Sequence, residues 1–174
     1  MFEVLPGVGL ALPHRAGVLR YGMSETEAAW VVSTVADVRS GSWVCGIGWC
    51  FTACYQGLNL RVMGDALSRY EDQEDELGLF GIRLERLRGT TLEGPASAPV
   101  VLDGVDVFGF PSREVAQAVD LDAHPDIRFA PLGAPHLAGF DMLRPRDVLN
   151  DRHPATGRPA DRGTHVRQPI ELIG

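Results

Sequence analysis

The sequence predicts an α+β fold, in which helices pack on one face of an antiparallel sheet. Short segments of the chain alternate apolar and polar residues at the period of a half-buried strand. Tight-turn dipeptides separate several of these segments, and two stretches carry the signals of a helix that begins after a serine. At 174 residues the chain is long enough for one domain with a sizeable core. We therefore predict a single domain over residues 1–144 and a polar tail, rich in proline and arginine, over residues 145–174.

The first elements of the domain are extended. Residues 2–12 contain two short apolar pieces broken by Pro6 and Gly7, which suit an edge strand or an extended lead-in to the sheet. Residues 18–21, with the sequence VLRY, predict a brief strand. A turn at Gly22 then leads into the first helix.

The first helix has the best-specified start in the sequence. Ser24 and Glu27 have the spacing of a capping box, in which the hydroxyl and the carboxylate each accept a hydrogen bond from an otherwise unpaired backbone N–H. The helix should therefore begin at Glu25. The apolar positions that follow keep the three- and four-residue spacing of one buried face as far as Val38, so the helix should end at Ser40.

Three strands should follow this helix. Residues 42–55 and 58–64 are rich in aromatic and β-branched side chains, and the dipeptide Gln56-Gly57 between them predicts a tight turn. Residues 77–87 alternate apolar and charged side chains again, which predicts a half-buried strand.

The second half of the domain begins with a hairpin. Asp103 and Gly104 form the most specific short turn signal in the sequence, and the segments on either side of them predict its two strands. Ser112 then precedes a second capped helix over residues 113–119. The remaining predicted strands are residues 127–130 and 137–143.

The two predicted helices indicate an internal repeat. Aligning Ser24 on Ser112 superposes a short strand, a turn and a serine-capped helix in each half, followed by extended segments. The sequence therefore also predicts two related αβ units, at residues 1–89 and 98–144, which share one antiparallel sheet.

The composition disfavours several classes of function. The formal net charge of −7 and the pI near 5.1 disfavour a general affinity for nucleic acid or for anionic membranes, because both require basic surfaces. No lysine occurs in the sequence, which excludes a lysine Schiff base. No window approaches the roughly 18 apolar residues of a spanning helix, and an odd number of cysteines, 3, disfavours a secreted disulfide framework. We therefore expect a cytoplasmic protein that requires no cofactor.

The cysteines do not have the pattern of a metal site. Cys45, Cys50 and Cys54 fall within ten residues, but structural zinc sites pair their ligands at spacings of about two to four residues and use about four ligands. On a strand, Cys50 and Cys54 would lie roughly 13 Å apart. The sequence therefore predicts buried structural cysteines. It contains no P-loop, zinc-protease or nucleophile-elbow motif, so no catalytic residue or metal ligand is predicted.

The most distinctive polar cluster is the segment DLDAHPD. Asp120, Asp122, His124 and Asp126 alternate along the chain, so an extended backbone would project several hard ligands from one side. A calcium loop requires a glycine at its sharp turn and a downstream glutamate, and the segment has neither. A solvated loop at the end of a helix accounts better for these charges.

Part of the first half resembles known small protein folds. The segments GVLRYGMSETEAAWVV, YQGLNLRVMGD and GLFGIRLERL combine a Gly-Met-Ser turn, a helix, a strand with a Gly-Leu-x-Leu-x-Val run and a final Ile-x-Leu strand. This order is similar to the repeat of β-lactamase-inhibitor-like proteins, of outer-membrane-assembly lipoproteins of the SmpA/OmlA type, and of some actinobacterial and toxin-immunity proteins. The resemblance implies a scaffold that presents a sheet surface to a protein partner, and it implies fold more than activity.

Three hypotheses about function follow. The first is a non-catalytic cytoplasmic protein-binding module of an immunity or inhibitor type, whose acidic segment meets a basic partner. The second is a small-molecule-binding protein or an enzyme with an aromatic pocket, and the third is a structural homo-oligomer. The predicted partner-binding residues are Glu71, Asp72, Glu74, Asp75 and Glu76. The predicted pocket residues are Trp43, Trp49, Tyr55 and His124.

Overall fold

The described part of the protein contains eleven strands and two α-helices. The computed structural model describes residues 1–41, 48–65, 78–87, 93–129 and 134–144. The α-helices and the mostly antiparallel strands confirm the α+β class. The strands form two sheets, so the prediction of one shared sheet is wrong. The strands are β1 (Phe2–Leu5), β2 (Gly9–Ala11), β3 (Val18–Arg20), β4 (Val38–Ser40), β5 (Gly48–Tyr55), β6 (Leu58–Asp65), β7 (Gly78–Arg86), β8 (Val100–Leu102), β9 (Val105–Asp106), β10 (Ile127–Phe129) and β11 (Gly139–Leu143), and the helices are α1 (Glu25–Ser33) and α2 (Ser112–Ala118).

Both sheets are mostly antiparallel. The five-stranded sheet has the order β3-β2-β1-β8-β9, and the six-stranded sheet has the order β10-β11-β7-β6-β5-β4. Among the described strands, β1 and β8 form the one parallel pair. β1 is an internal strand, because β2 and β8 flank it. Of the two alternatives predicted for residues 2–12, an edge strand or an extended lead-in, the edge strand is therefore wrong for β1. Phe2 pairs with Val100 in this arrangement, and no local sequence pattern reveals a partner so far along the chain.

The two helices connect the sheets in equivalent ways. α1 follows β3, an edge strand of the five-stranded sheet, and leads to β4, an edge strand of the six-stranded sheet. α2 follows β9 at the opposite edge of the first sheet and leads to β10 at the opposite edge of the second. The division into two related αβ units stays a prediction.

The start of α1 is as predicted. The Ser24 hydroxyl accepts a hydrogen bond from the Glu27 N–H (3.3 Å), and the Glu27 carboxylate accepts one from the Ser24 N–H (2.9 Å). These two bonds complete the capping box. The backbone hydrogen bond from Ser24, with its hydroxyl second, holds the pKa of Glu27 below its ordinary value. The helix accordingly begins at Glu25.

The predicted end of α1 is wrong. The helix stops at Ser33, and Val38 lies in β4 instead of extending the buried face of the helix. The hydroxyls of Ser33 and Thr34 donate to the carbonyls of Trp30 and Val31, at 2.7 Å in each case. Such local bonds compete with continuation of a helix, and β-branched side chains lose rotamer freedom in one. The chain therefore leaves the helix early and pairs with β5.

α2 begins without the predicted serine cap. Pro111 occupies the N-cap position, and no side chain hydrogen-bonds to the first N–H groups there. The Ser112 hydroxyl instead donates to the carbonyl of Ala134, and the Ser112 N–H donates to that of Pro135. The serine therefore ties the helix to the segment before β11, and it matches Ser24 in position but not in role.

Both predicted tight turns are confirmed. Gln56 and Gly57 have φ values of 45° and 82° between β5 and β6, and Asp103 and Gly104 have φ values of 51° and 81° between β8 and β9. Two successive positive φ angles define the hairpin turn whose twist matches that of paired strands, and glycine adopts this conformation without strain. The first of these turns fixes the register in which β5 and β6 face each other.

The buried apolar side chains of the described residues form one cluster. Phe2 and Leu10 contribute to it from the five-stranded sheet, and Phe51, Leu84 and Phe140 contribute from the six-stranded sheet. Phe51 and Leu84 belong to long strands in the middle of their sheet, where both neighbours exclude water. The two sheets therefore share a core.

The guanidinium of Arg86 links three segments at one end of the six-stranded sheet. It donates to the carbonyls of Leu137 (3.1 Å), Gly94 (2.6 Å) and Phe108 (2.8 Å), and its central carbon lies 5.7 Å from the centre of the Phe108 ring. Burial lowers the pKa of Arg86, and the nearby Asp106 carboxylate partly opposes this effect. Arg86 thus joins β7 to the chain segments before and after the β8–β9 hairpin.

Candidate functional site

The six-stranded sheet has one buried face and one half-exposed face. Along β5, Trp49, Phe51 and Ala53 point into the core. Thr52 and Cys54 face the other way, because successive side chains of a strand alternate between the two faces. Buried and half-buried residues alternate along β6 in the same manner. We call the half-exposed side the outer face.

A row of directly paired residues crosses the outer face from edge to edge. Each of the six strands contributes one residue, and backbone pairing sets each residue beside the next. At about 4.8 Å between strands, the row is about 24 Å long. In order from β4 to β10, this arginine row consists of Arg39, Thr52, Arg61, Arg83, Asp141 and Arg128.

The charge of the arginine row is opposite to that of the whole chain. The row has four cationic side chains and one carboxylate, whereas the chain has a formal net charge of −7. Arg61 and Arg83 lie directly opposite each other on β6 and β7. Like charges in such a pair destabilise a sheet. The outer face therefore carries positive charge at a cost in stability that anions would offset.

Two carboxylates partly neutralise Arg83. Its Nε lies 2.9 Å from Oδ1 of Asp141 and 4.0 Å from Oε2 of Glu85. The other carboxylate oxygen of Glu85, Oε1, accepts a hydrogen bond from the Asn59 side-chain amide at 2.9 Å. The side chains of Arg83 and Asp141 are 39% and 32% exposed. Water therefore screens this ion pair, and we expect it to contribute roughly 0–1 kcal/mol to folding.

Burial and four neighbouring charged side chains set the pKa of the Asp141 carboxyl. Burial raises its pKa above the ordinary value, and Arg83 opposes this effect only in part. Glu85 raises the pKa further, while Arg128 and Arg61 lower it. As the pH falls, Asp141 consequently loses its charge at a higher pH than an exposed carboxyl does. Below that pH the four arginines are the only charged members of the row.

Arg61 carries an unsatisfied hydrogen-bond donor. Its Nε is buried and has no acceptor among the described residues. A buried donor without an acceptor costs on the order of 1–3 kcal/mol. The position of Arg61 in the row therefore lowers the stability of the folded protein.

The described members of the predicted aromatic pocket do not come together. Trp49 is buried in the core, and Tyr55 lies six residues further along β5, roughly 20 Å away. The Tyr55 ring packs edge-on against Phe2, with 5.4 Å between ring centres. His124 lies before β10 and contacts a carboxylate of the β8–β9 hairpin at 2.6 Å. Trp43 lies outside the described residues.

The polar residues of DLDAHPD point to different partners. Asp120 caps the short 3-10 turn that follows it. His124 Nε2 lies 2.6 Å from Oδ2 of Asp103, and the buried Asp126 accepts a hydrogen bond from the Gly7 N–H at 2.9 Å. No group of three His, Cys, Asp or Glu side chains in the described ranges could hold a metal ion. The segment instead ties two hairpins of the five-stranded sheet to the start of β10.

The two described cysteines have different environments. Cys50 is buried, as predicted, whereas the prediction of burial is wrong for Cys54, which is exposed near the β5–β6 turn. Burial raises the pKa of the Cys50 thiol, and Arg61 opposes this effect. Cys45 lies outside the described residues.

Two predicted features fall outside the part of the chain that the structure describes. They are the acidic segment from Glu71 to Glu76 and the tail at residues 145–174. Within the described residues, neither helix has the length and apolar character that crossing a membrane requires.

No family model, curated protein or solved structure matches the chain. The resemblance to β-lactamase-inhibitor-like and related folds therefore stays a prediction. The candidate function rests on the geometry of the outer face.

The arginine row was not predicted from the sequence. Arg61 and Arg83 stand at polar positions of two alternating strands, which is the one local signal that both side chains leave the core. Their alignment with Asp141 depends on the register between strands, and in particular on the pairing of β7 with β11. That pairing joins segments that are distant in the sequence.

Proposed function

We propose that the chain is a non-catalytic protein-binding module of the cytoplasm, and that the outer face of its six-stranded sheet is the docking surface. The arginine row carries this proposal, because it concentrates positive charge on one face of an acidic protein. An immunity- or inhibitor-type role, in which the module covers a surface of its partner, belongs to the same proposal. The acidic segment from Glu71 to Glu76 is a second proposed surface, for a basic partner.

The size of the outer face supports the proposal. The central strands β5, β6 and β7 are 8, 8 and 9 residues long. With six strands and a rise of about 3.3 Å per residue, the face measures on the order of 600 Å². This area is close to the roughly 800 Å² that each partner contributes to a standard protein interface. Arginine is also among the residues that are enriched at the centre of such interfaces.

The arrangement of charge supports binding more than a role in folding. Arg61 and Arg83 lie directly opposite each other, and like charges in such a pair destabilise the isolated sheet. A surface that contributes only to folding gains nothing from this pairing. A docking surface gains from it, because charges that repel each other in the free protein meet opposite charges in the complex.

Co-purification with arginine-row variants tests the proposed function. The full chain, tagged and expressed in its native cell, is captured and its partners are identified by mass spectrometry. We expect a stoichiometric protein that is retained by wild type and lost from the variant R39Q/R128Q, whose substituted side chains are exposed. The matched control is R20Q/R113Q, which changes the same charge at exposed positions on β3 and α2.

Two results would contradict the proposal. One is that no stoichiometric protein is recovered with wild type. The other is that R39Q/R128Q and R20Q/R113Q retain the same protein equally well. Static light scattering on the purified chain tests the alternative of a structural homo-oligomer, for which the associating species would be the chain itself.

A further inference from the structure

We infer that the arginine row binds the carboxylates of an acidic segment of a protein partner, which lies across the strands of the outer face. This inference rests on the proposed function and adds the chemistry of the partner. The planar fork of a guanidinium matches the two oxygens of a carboxylate, and charge-assisted bonds of this kind are stronger than neutral ones. A row of arginines is therefore a row of carboxylate receptors.

Asp141 provides an example of the proposed ligand within the protein. Its carboxylate lies in the row, 2.9 Å from the Arg83 guanidinium, and the charges of Arg61 and Arg128 lower its pKa. The row thus already holds one carboxylate between arginines of neighbouring strands. A partner's carboxylates would occupy equivalent positions beside Arg61 and Arg39, where the paired residue of β5 is the neutral Thr52.

The spacing of the arginines fits a chain that crosses the strands. At about 4.8 Å per strand, Arg39 lies about 10 Å from Arg61, Arg61 lies about 5 Å from Arg83, and Arg83 lies about 10 Å from Arg128, measured between backbones. Alternate side chains of an extended segment repeat every 6–7 Å or so, and those one helical turn apart repeat at about 5–6 Å. Arginine side chains are long enough to bridge the difference between the spacing of their backbones and the repeat of the partner's side chains.

The charge of the whole protein favours a protein segment over a nucleic acid. Duplex DNA carries one negative charge per roughly 1.7 Å of helix axis, and it would meet both the net charge of −7 and the carboxylates of Asp141 and Glu85. An acidic protein segment carries fewer and more widely spaced charges. It can therefore place carboxylates beside the arginines and leave neutral groups beside Asp141 and Glu85.

A direct binding experiment tests the partner chemistry. The probe is a short, fluorescein-labelled peptide of glutamate residues, and its binding to the full chain is followed by fluorescence anisotropy at low salt. We expect saturable binding that weakens about tenfold or more in R39Q/R61Q and less than about twofold in R20Q/R113Q. D141N should bind the peptide about threefold more tightly, because it removes the carboxylate that competes for Arg83. A glutamine peptide of the same length should not bind.

Three results would overturn the inference. They are equal binding of the glutamate and glutamine peptides, equal loss of affinity in R39Q/R61Q and R20Q/R113Q, and tighter binding of a labelled oligothymidine than of the glutamate peptide. Circular dichroism melts establish that each variant is folded, and the gain expected for D141N does not depend on a loss of structure. If a cellular partner needs the arginine row but the glutamate peptide fails to bind, the proposed function stands and the acidic chemistry is wrong. If neither partner nor peptide needs the row, both are wrong.

Discussion

Replacing Arg86 with methionine should strongly destabilise the fold. The substitution removes a guanidinium that donates to the carbonyls of Gly94, Phe108 and Leu137, at 2.6 to 3.1 Å. It also removes the contact with the Phe108 ring at 5.7 Å. Methionine keeps much of the apolar stem, so the loss is mainly one of hydrogen bonds and not of packing.

The expected magnitude follows from these contacts. A hydrogen bond to a charged group contributes about 1.5–3 kcal/mol, so three would contribute about 4.5–9 kcal/mol. Burying the guanidinium also has a desolvation cost, which methionine avoids, so the net loss is smaller than this total. We expect R86M to lower the free energy of unfolding by about 3–5 kcal/mol. R86K keeps the charge but loses the fork geometry, and it should lose about half as much.

Urea denaturation monitored by tryptophan fluorescence measures this effect, because Trp49 is buried in the folded protein. The control R20M changes an exposed arginine on β3 and should stay within about 0.5 kcal/mol of wild type. A loss below about 1 kcal/mol in R86M, with an unchanged dependence on urea, would refute the role of Arg86 in joining the three segments.

Three further predictions concern the six-stranded sheet and its outer face: one substitution, one alkylation experiment and one pH dependence. G64A places a methyl group against the ring of the buried Trp49, so it should destabilise the fold by about 2 kcal/mol in thermal or urea unfolding. Alkylation followed by peptide mass spectrometry should modify the exposed Cys54 faster than Cys50, whose burial raises its thiol pKa. The ratio of the affinities of D141N and wild type for the glutamate peptide should fall toward one as the pH is lowered. Below the raised pKa of Asp141 the carboxyl is neutral, as asparagine is, and above it the charged carboxylate competes for Arg83.

Each of these three predictions has its own control. G94A adds a methyl group with no atom within 4 Å and should be nearly neutral. Unfolding in urea should abolish the difference in alkylation rate between the two cysteines, because the difference comes from burial. The affinity ratio cancels the titration of the peptide itself, and a ratio that is independent of pH would contradict the influence of Asp141 on the row.

The sequence predicted those elements whose signals are local. The capping box at Ser24 and the turns at Gln56-Gly57 and Asp103-Gly104 are set by a few adjacent residues, and all three occur in the structure. The end of α1 was missed because several valines suit either a helix face or a strand, and the competing hydrogen bonds of Ser33 are visible only in the folded chain.

The arrangement of the sheets was not predictable in the same way. The two sheets and the internal position of β1 depend on pairing between distant segments, such as Phe2 with Val100. The arginine row has the same origin, since its six members come from six strands and are adjacent only in one register. A shift of one residue in any strand would turn its side chain from the outer face into the core.

NMR mapping of the peptide-binding surface tests the central claim most directly. In a titration of the full chain with the glutamate peptide, the Nε–Hε signals of Arg61 and Arg83 and the backbone amides of β6 and β7 should shift most, and the signal of Arg20 on β3 should stay in place. Shifts that cluster on the five-stranded sheet, or that spread evenly over all arginines, would contradict a docking surface on the outer face.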